Sequence, residues 1–286
     1  MQYWAIQTLN SLALGGLLFL LAAGFSLIFG LMRIANLTHG ALFMLGAYIG
    51  VSILKVMPNL WLAALLAGIA VAAFGGLLER FILRKLQGNI LGQVLVTLGV
   101  SFIIADLCLI VWGGDPIPIP TPQWLQQPLR VAGLAFPAYR LAVIVIATGV
   151  AGILFFVIEK TRLGAMIRAG VDDPEMARAV GIPVSRLFTT VFCLGAALAG
   201  AAGVIGGPIM SAYPGLDADM LPLALIVVIL GGVGSLVGAF VGAFITGFVY
   251  SFGVAMLPDL AYVILFLPMI LVIAFRPRGL FGKFAA

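Results

Sequence analysis

The sequence predicts an all-α, polytopic helical membrane protein of about eight membrane segments, some broken or re-entrant. Three observations carry this reading. The 286 residues are 63% hydrophobic and 9% charged, with mean hydropathy +1.24, whereas a soluble globular chain carries about 25% charged residues. Several apolar runs exceed the ~18–20 residues a helix needs to cross a bilayer. The short alternating segments of a transmembrane barrel are absent. The net charge of +5 comes from basic residues gathered in a few loops, which fits a membrane chain rather than a nucleic-acid partner. Cys108 and Cys193 both lie in apolar runs and read as small hydrophobes.

The first span is expected over about 7–31, with no basic segment before it and an apolar stretch too long for a signal peptide. A second, about 34–54, opens on Ile-Ala-Asn-Leu-Thr-His-Gly, so Asn36, Thr38 and His39 fall at or near membrane depth. Either this is an interfacial start, with His39 at headgroup level, or it is a partly unwound segment lining a path. His39 is the only histidine, which excludes a metal site built from several. The third span, about 60–78, runs into Glu79, Arg80, Arg84 and Lys85, a charged loop assigned to the cytoplasm.

The fourth span, about 93–112, contains Asp106, either an ion or proton site or a carboxylate near enough to the surface to be solvated. Residues 113–137 follow, with alternating Pro116, Pro118, Pro120 and Pro122. They predict extended, polyproline-like chain on the outer face, either a docking surface anchored by Trp124 or a stiff cover. The fifth span, about 139–158, returns the chain to the inner side.

The loop from Glu159 to Arg186 is the most structured polar stretch in the sequence. Asp172 or Asp173 suits a helix N-cap, Pro174 the first helical position, and Glu175 the positive end of the dipole. Gly181 suits the C-terminal cap and Pro183 stops continuation. These residues predict one short helix, about 174–180, with Met176, Ala179 and Val180 on one apolar side. A helix this short is marginal alone and is expected to pack on something. The loop reads either as a plug for a cytoplasmic partner or as an ordinary ordered loop.

The sixth span, about 187–206, carries Gly195, Ala199 and Gly203 at four-residue spacing, which favours close helix packing. The segment 222–253 holds Gly231, Gly232 and Gly234 in its middle and predicts a break, with Gly234, Gly238 and Gly242 packing closely beyond it. A last span, about 259–275, ends before Arg276, Arg278 and Lys283, which place the C-terminus inside. If loop 207–221 is outside, an odd number of crossings separates it from that terminus. So 222–253 is expected to be a hairpin or re-entrant element. The side of the N-terminus depends on whether 34–54 crosses fully.

No phosphate-binding loop, zinc-protease motif or catalytic dyad is visible, and the glycines at 231–234 match a dinucleotide fingerprint poorly because Val237 takes its last glycine position. The chain is not expected to be an enzyme, to bind a cofactor or metal, or to bind ATP itself.

Four blocks, in order, resemble a known family. They are GLMRIANLTHGALFMLGAYIG, ERFILRKL, LGAMIRAGVDDPEMARAVGI and LGGVGSLVGAFVGAFITG. In the first, Asn36, His39, Gly40, Met44, Gly46 and Tyr48 stand in register with the pattern N-F-A-H-G-x-x-x-M-x-G-x-Y. Leu37 and Thr38 depart from it, and Met32-Arg33 is bulkier and more charged than the pattern expects before the asparagine. On these blocks the chain resembles the shorter (H-type) permease subunit of the branched-chain, hydrophobic amino acid ABC importers over nearly its whole length.

That resemblance implies a single permease domain, 1–286, in a bacterial inner (plasma) membrane. It implies a heterodimeric pore with a second permease subunit, two ABC ATPase subunits that bind the ATP, and a soluble binding protein at the outer face. Docking is expected on cytoplasmic coupling helices, about 163–181, within the loop 159–186. Arg168, Asp173, Glu175, Ala177, Ala179 and Gly181 are the expected coupling residues. Asn36, His39, Gly231 and Gly232 are the expected lining of the translocation path. A urea or short-amide ABC permease is the alternative within the class. An ion-coupled secondary transporter is the alternative outside it, resting on Asp106.

Overall fold

A computed structural model describes residues 2–32, 36–131 and 134–282. Arg33 and Lys283 lie outside them. Eleven α-helices are described, and seven are long and apolar enough to cross a membrane. These are α1 (Gln2–Met32, its apolar span Tyr3–Gly30), α2 (Thr38–Val56), α3 (Leu60–Phe81), α4 (Ile90–Trp112), α5 (Ala138–Lys160), α8 (Val184–Met210) and α10 (Leu236–Met256). Two shorter apolar helices, α9 (Leu216–Gly231) and α11 (Ala261–Phe275), complete the bundle. The expected segment 222–253 is therefore a broken pair, α9 and α10.

The two ends of the bundle differ. One carries the amphipathic pair α6 (Arg162–Asp172) and α7 (Pro174–Ala179). It is called the loop end below. The other carries an antiparallel hairpin, β1 (Pro128–Val131) with β2 (Leu134–Pro137), and is called the hairpin end.

Helix α8 is the axis of the bundle, and its small residues explain why. A Cβ at Gly195 would lie 2.8 Å from the Gly24 carbonyl oxygen of α1, and one at Gly200 would lie 2.8 Å from Val71 of α3. At Gly203 it would collide with the Phe43 carbonyl of α2. Three helices thus approach one backbone closely, as the expected Gly195–Ala199–Gly203 stripe requires. The gain is dispersion contact and backbone proximity, because lipid leaves no hydrophobic drive between apolar helices. The expected stripe beyond the break also packs: Gly234 meets Gly30, and Gly242 meets the Val227 carbonyl.

Three expectations needed correction. The loop 159–186 holds two helices rather than one. Thr161 caps α6 through its Oγ1, which accepts from the Gly164 backbone N–H at 3.2 Å. Gly164 and Gly170 weakened the helical signal in the sequence, because glycine is costly in helix interiors. The segment 113–137 is only partly extended. Ile117 pairs with Ala212 through two backbone hydrogen bonds of 2.8 and 2.9 Å, Ile119 is buried against Gly207, and the hairpin follows. That ties the segment down as a cover, while Trp124 stays 69% exposed. Finally, Glu79 does not belong to a solvated loop. It is buried in the last turn of α3, where Arg84 grips both carboxylate oxygens at 2.9 and 3.2 Å.

Candidate functional site

Two regions concentrate polar residues. At the loop end, α6 and α7 form a ledge. Asp173 is the cap between them, accepting from the backbone N–H groups of Glu175 and Met176 at 3.0 and 2.9 Å. Helix α7 ends in a Schellman turn: Ile182 N–H donates to the Ala177 carbonyl (2.9 Å) and Gly181 N–H to the Arg178 carbonyl (3.0 Å), with Gly181 at φ +87°. Only glycine adopts that angle without strain. Both ends of this six-residue helix are thereby satisfied locally, which offsets its short length.

The side chains of α7 divide cleanly. Ala177 is buried in a small cluster with Ile167, Val184 and Leu187, so it fixes α7 to α6 and the start of α8. Glu175, Arg178 and Ala179 are exposed, as are Met176 (61%) and Val180 (68%). The trio read from the sequence as the apolar side, Met176, Ala179 and Val180, faces away from the bundle. Arg168 on α6 donates to the Ile158 carbonyl and lies 3.8 Å from the Glu159 carboxylate, which fastens α6 to the end of α5. Of the six expected coupling residues, Glu175 and Ala179 lie in the exposed face, Asp173 and Gly181 shape its ends, and Ala177 and Arg168 anchor it.

The second region lies inside the bundle. Helix α2 does not begin at the bundle edge. Its first residue, Thr38, donates to the Thr97 carbonyl at 2.8 Å, about 10 Å along α4 from Ile90 at 1.5 Å rise per residue. His39 is fully buried, its Nε2 3.0 Å from the Leu21 carbonyl and its ring 5.2 Å from that of Phe25. A headgroup position for His39 is excluded. Asn36 is also fully buried and non-helical, with Oδ1 accepting from Thr38 N–H at 3.2 Å. Among the described residues, its Nδ2 and the Nδ1 of His39 have no partner. Two unsatisfied buried polar groups beside broken backbone are costly in apolar surroundings unless a polar species reaches them.

Helix α9 begins at the same depth. A Cβ at Gly40 would lie 2.6 Å from the Asp217 carbonyl oxygen, so the first turns of α2 and α9 touch. This brings the half-buried Asp217 to the first turn of α2, and near the start of α9 Tyr213 Oη donates to Asp219 Oδ2 at 2.6 Å. Sequence reasoning left these residues in the outer loop 207–221. The available signal was Gly215 before two acids in a helical first turn.

Gly231 and Gly232 stand apart from Asn36 and His39, at the turn joining α9 to α10. Gly231 is pressed against Gly238, and Gly232 adopts φ +100° with the Arg278 carbonyl and Gly282 N beside it. The backbone N–H groups of Leu280 and Phe281 donate to the Leu230 and Gly231 carbonyls at 2.9 and 3.0 Å. Asp106 lies on the outer face of α4 among exposed Phe102, Ile103 and Ile110, not inside the bundle where an ion site would sit.

The sequence resembles known proteins along most of its length. Residues 7–273 match the family described as branched-chain amino acid transport system, permease component. The chain is 30% identical to the high-affinity branched-chain amino acid transport system permease protein BraD of Pseudomonas aeruginosa, covering 97% of this chain and 95% of the relative. It is 28% identical to LivH of Escherichia coli strain K12, of the same description, over 98% and 96%. It is 26% identical to a probable LivH of Methanocaldococcus jannaschii over 76% and 70%. No solved structure matches. With a family match across nearly its whole length, this multi-pass chain belongs to the branched-chain amino acid transport system permease family.

Proposed function

We propose that the chain is the H-type permease subunit of an ATP-driven importer that carries branched-chain, hydrophobic amino acids across the inner (plasma) membrane. The observation that carries the proposal is the exposed Met176–Ala179–Val180 face on a helix held rigid by its two caps and by buried Ala177. A stiff apolar face flanked by Glu175 and Arg178 suits a soluble ATPase subunit. On this reading two such subunits bind and hydrolyse the ATP, and this chain supplies no cofactor site. A second permease completes a heterodimeric pore, and a soluble binding protein delivers substrate to the hairpin end.

The loop end and the C-terminus then lie in the cytoplasm. Substrate passes the break at Asn36 and His39, whose side-chain nitrogens offer polar contacts inside the bundle. The Gly231–Gly232 turn bounds the inner end of that path.

The test is affinity capture of the tagged chain from its own membranes in mild detergent, run beside an Ala179→Glu variant. The wild type is expected to bring down a second permease and ATPase subunits. The variant, with a charge in the docking face, is expected to lose the ATPase and at least about tenfold of leucine uptake, a few kcal/mol of buried unpaired charge being ample for that. Unchanged capture and uptake in the variant would refute the docking role.

A further inference from the structure

The arginine nearest the hairpin end of α5 stands out on chemical grounds. Among the described basic residues only Lys55, Arg130 and Arg140 lie at that end, and Lys55 and Arg130 are exposed. Arg140 is half-buried instead, on the third residue of α5. It lines a cavity of about 390 Å³ between the hairpin ends of α1, α5, α8 and α10. Its Nη1 donates to Asn10 Oδ1 of α1, and among the described residues no carboxylate pairs with it. A guanidinium carries five N–H donors in a planar fork, so one amide leaves most of them unanswered. An arginine partly withdrawn from water, with no counter-charge, favours an anion, and a carboxylate meets the fork through two parallel hydrogen bonds.

The rest of the cavity narrows the class of anion. Leu14, Met210 and Val254 give it an apolar wall, and Gln7, Tyr250 and Ser251 add polar groups to its lining. Its volume falls near the lower bound of small-ligand sites, about 300–1,000 Å³. Tyr213 also lines it and hydrogen-bonds Asp219 at 2.6 Å, which links this cavity to the first turn of α9 and hence to the break at Asn36 and His39. A cationic fork, an apolar wall and a nearby carboxylate are complementary to a zwitterion with an apolar side chain.

We propose that Arg140 forms an outer subsite that receives the α-carboxylate of an apolar amino acid before it reaches the polar break. The proposal rests on the function proposed above and adds to it where the substrate first touches this chain and by which group. Asn10 orients the guanidinium, and the walls take the aliphatic side chain.

The same fork also fits the phosphate of an anionic lipid, so the experiment separates the two. The full-length chain, with whatever subunits co-purify, is placed in nanodiscs of phosphatidylcholine alone. Equilibrium binding of radiolabelled leucine is measured without the soluble binding protein. Leucinamide, which lacks the carboxylate, and 4-methylpentanoate, which lacks the amine, serve as competitors. For the wild type, 4-methylpentanoate is expected to compete and leucinamide to be at least about tenfold weaker. Arg140→Gln is expected to weaken leucine binding about tenfold or more, with Arg140→Lys intermediate, and to raise the KM for cellular uptake with little change in maximal rate.

Equal competition by the two analogues on the wild-type chain overturns the proposal without any variant that must fold. So does unchanged leucine affinity in Arg140→Gln. Loss of wild-type leucine binding when phosphatidylglycerol is included, with retention in Arg140→Gln, assigns the cavity to a lipid headgroup and also overturns it. Cellular uptake separates this failure from that of the function. If uptake of leucine, isoleucine and valine depends on the chain but not on Arg140, the subsite alone falls. If uptake does not depend on the chain, the proposed function falls and the subsite with it.

Discussion

At the residue scale, a buried ion pair joins the α3–α4 connection to the start of α8. Glu79 is fully buried, and both its oxygens are held by Arg84. Thr189 donates to Glu79 at 2.8 Å, and Arg84 also reaches the Ser185 carbonyl at 3.1 Å. The two partners are unequal. The Arg84 side chain is 32% exposed while that of Glu79 is 0% exposed, so losing the arginine strands a buried charge, whereas losing the carboxylate leaves a cation that can reach water. Arg84→Ala is therefore expected to cost about 3–5 kcal/mol and Glu79→Gln distinctly less, read as the order of thermal unfolding midpoints in detergent. Equal midpoints would show that Glu79 is hydrated. In the sequence these residues looked like a solvated inner loop, because charge alone does not reveal that α3 runs on to Phe81. By contrast, Asp173, Pro174 and Gly181 were legible, since capping chemistry is local and each acts on its own backbone. The exposure of Met176 and the burial of Ala177 were not legible, because which side of α7 meets α8 is a tertiary fact.

At the scale of elements, the break between α9 and α10 was readable from its glycines, and the true start of α9 was not. Pro222 sits inside α9, and with two acids before it the stretch 216–221 read as loop. Helices tolerate such a proline in a bundle where neighbours satisfy the freed carbonyl. The glycines at the two ends of α9 are not alike in their demands. Gly232 has φ +100° and Gly282 N only 2.6 Å from where a Cβ would stand, whereas Gly215 has φ +97° with nothing within 4 Å. Gly215→Ala is expected to cost about 1–2 kcal/mol from backbone strain alone. Gly232→Ala adds a steric clash with the C-terminal segment and is expected to lower the amount of folded protein and its thermal midpoint well beyond that. Similar losses in the two variants, measured side by side, would mean that the C-terminal segment moves aside readily.

At the scale of the whole molecule, the helix directions agree with one another. Gln7 near the start of α1 donates to the Ser251 carbonyl near the end of α10 at 2.5 Å, and Gly30 near the end of α1 meets Gly234 before the start of α10. The two helices are antiparallel, and the α9–α10 turn lies at the loop end, as the parity argument required of a hairpin in 222–253. With α2 starting at depth and running toward the hairpin end beside α4, the start of α1 lies at the hairpin end. Single cysteines introduced at positions 124 and 168 put this to the test. An impermeant thiol reagent added to intact cells is expected to label position 124 only, and labelling of 168 alone would invert the assignment of sides. The order of the spans was thus legible from hydropathy, while the depth at which α2 and α9 begin was not, since composition fixes the length of a span and not its height.

The hydrogen bonds from Leu280 and Phe281 to Leu230 and Gly231 also bear on biogenesis. During synthesis the carbonyls at the end of α9 lack these chain partners until about fifty further residues have emerged, a long closure in sequence. A chain whose translation stops before residue 280 therefore leaves the α9–α10 turn without its C-terminal cover.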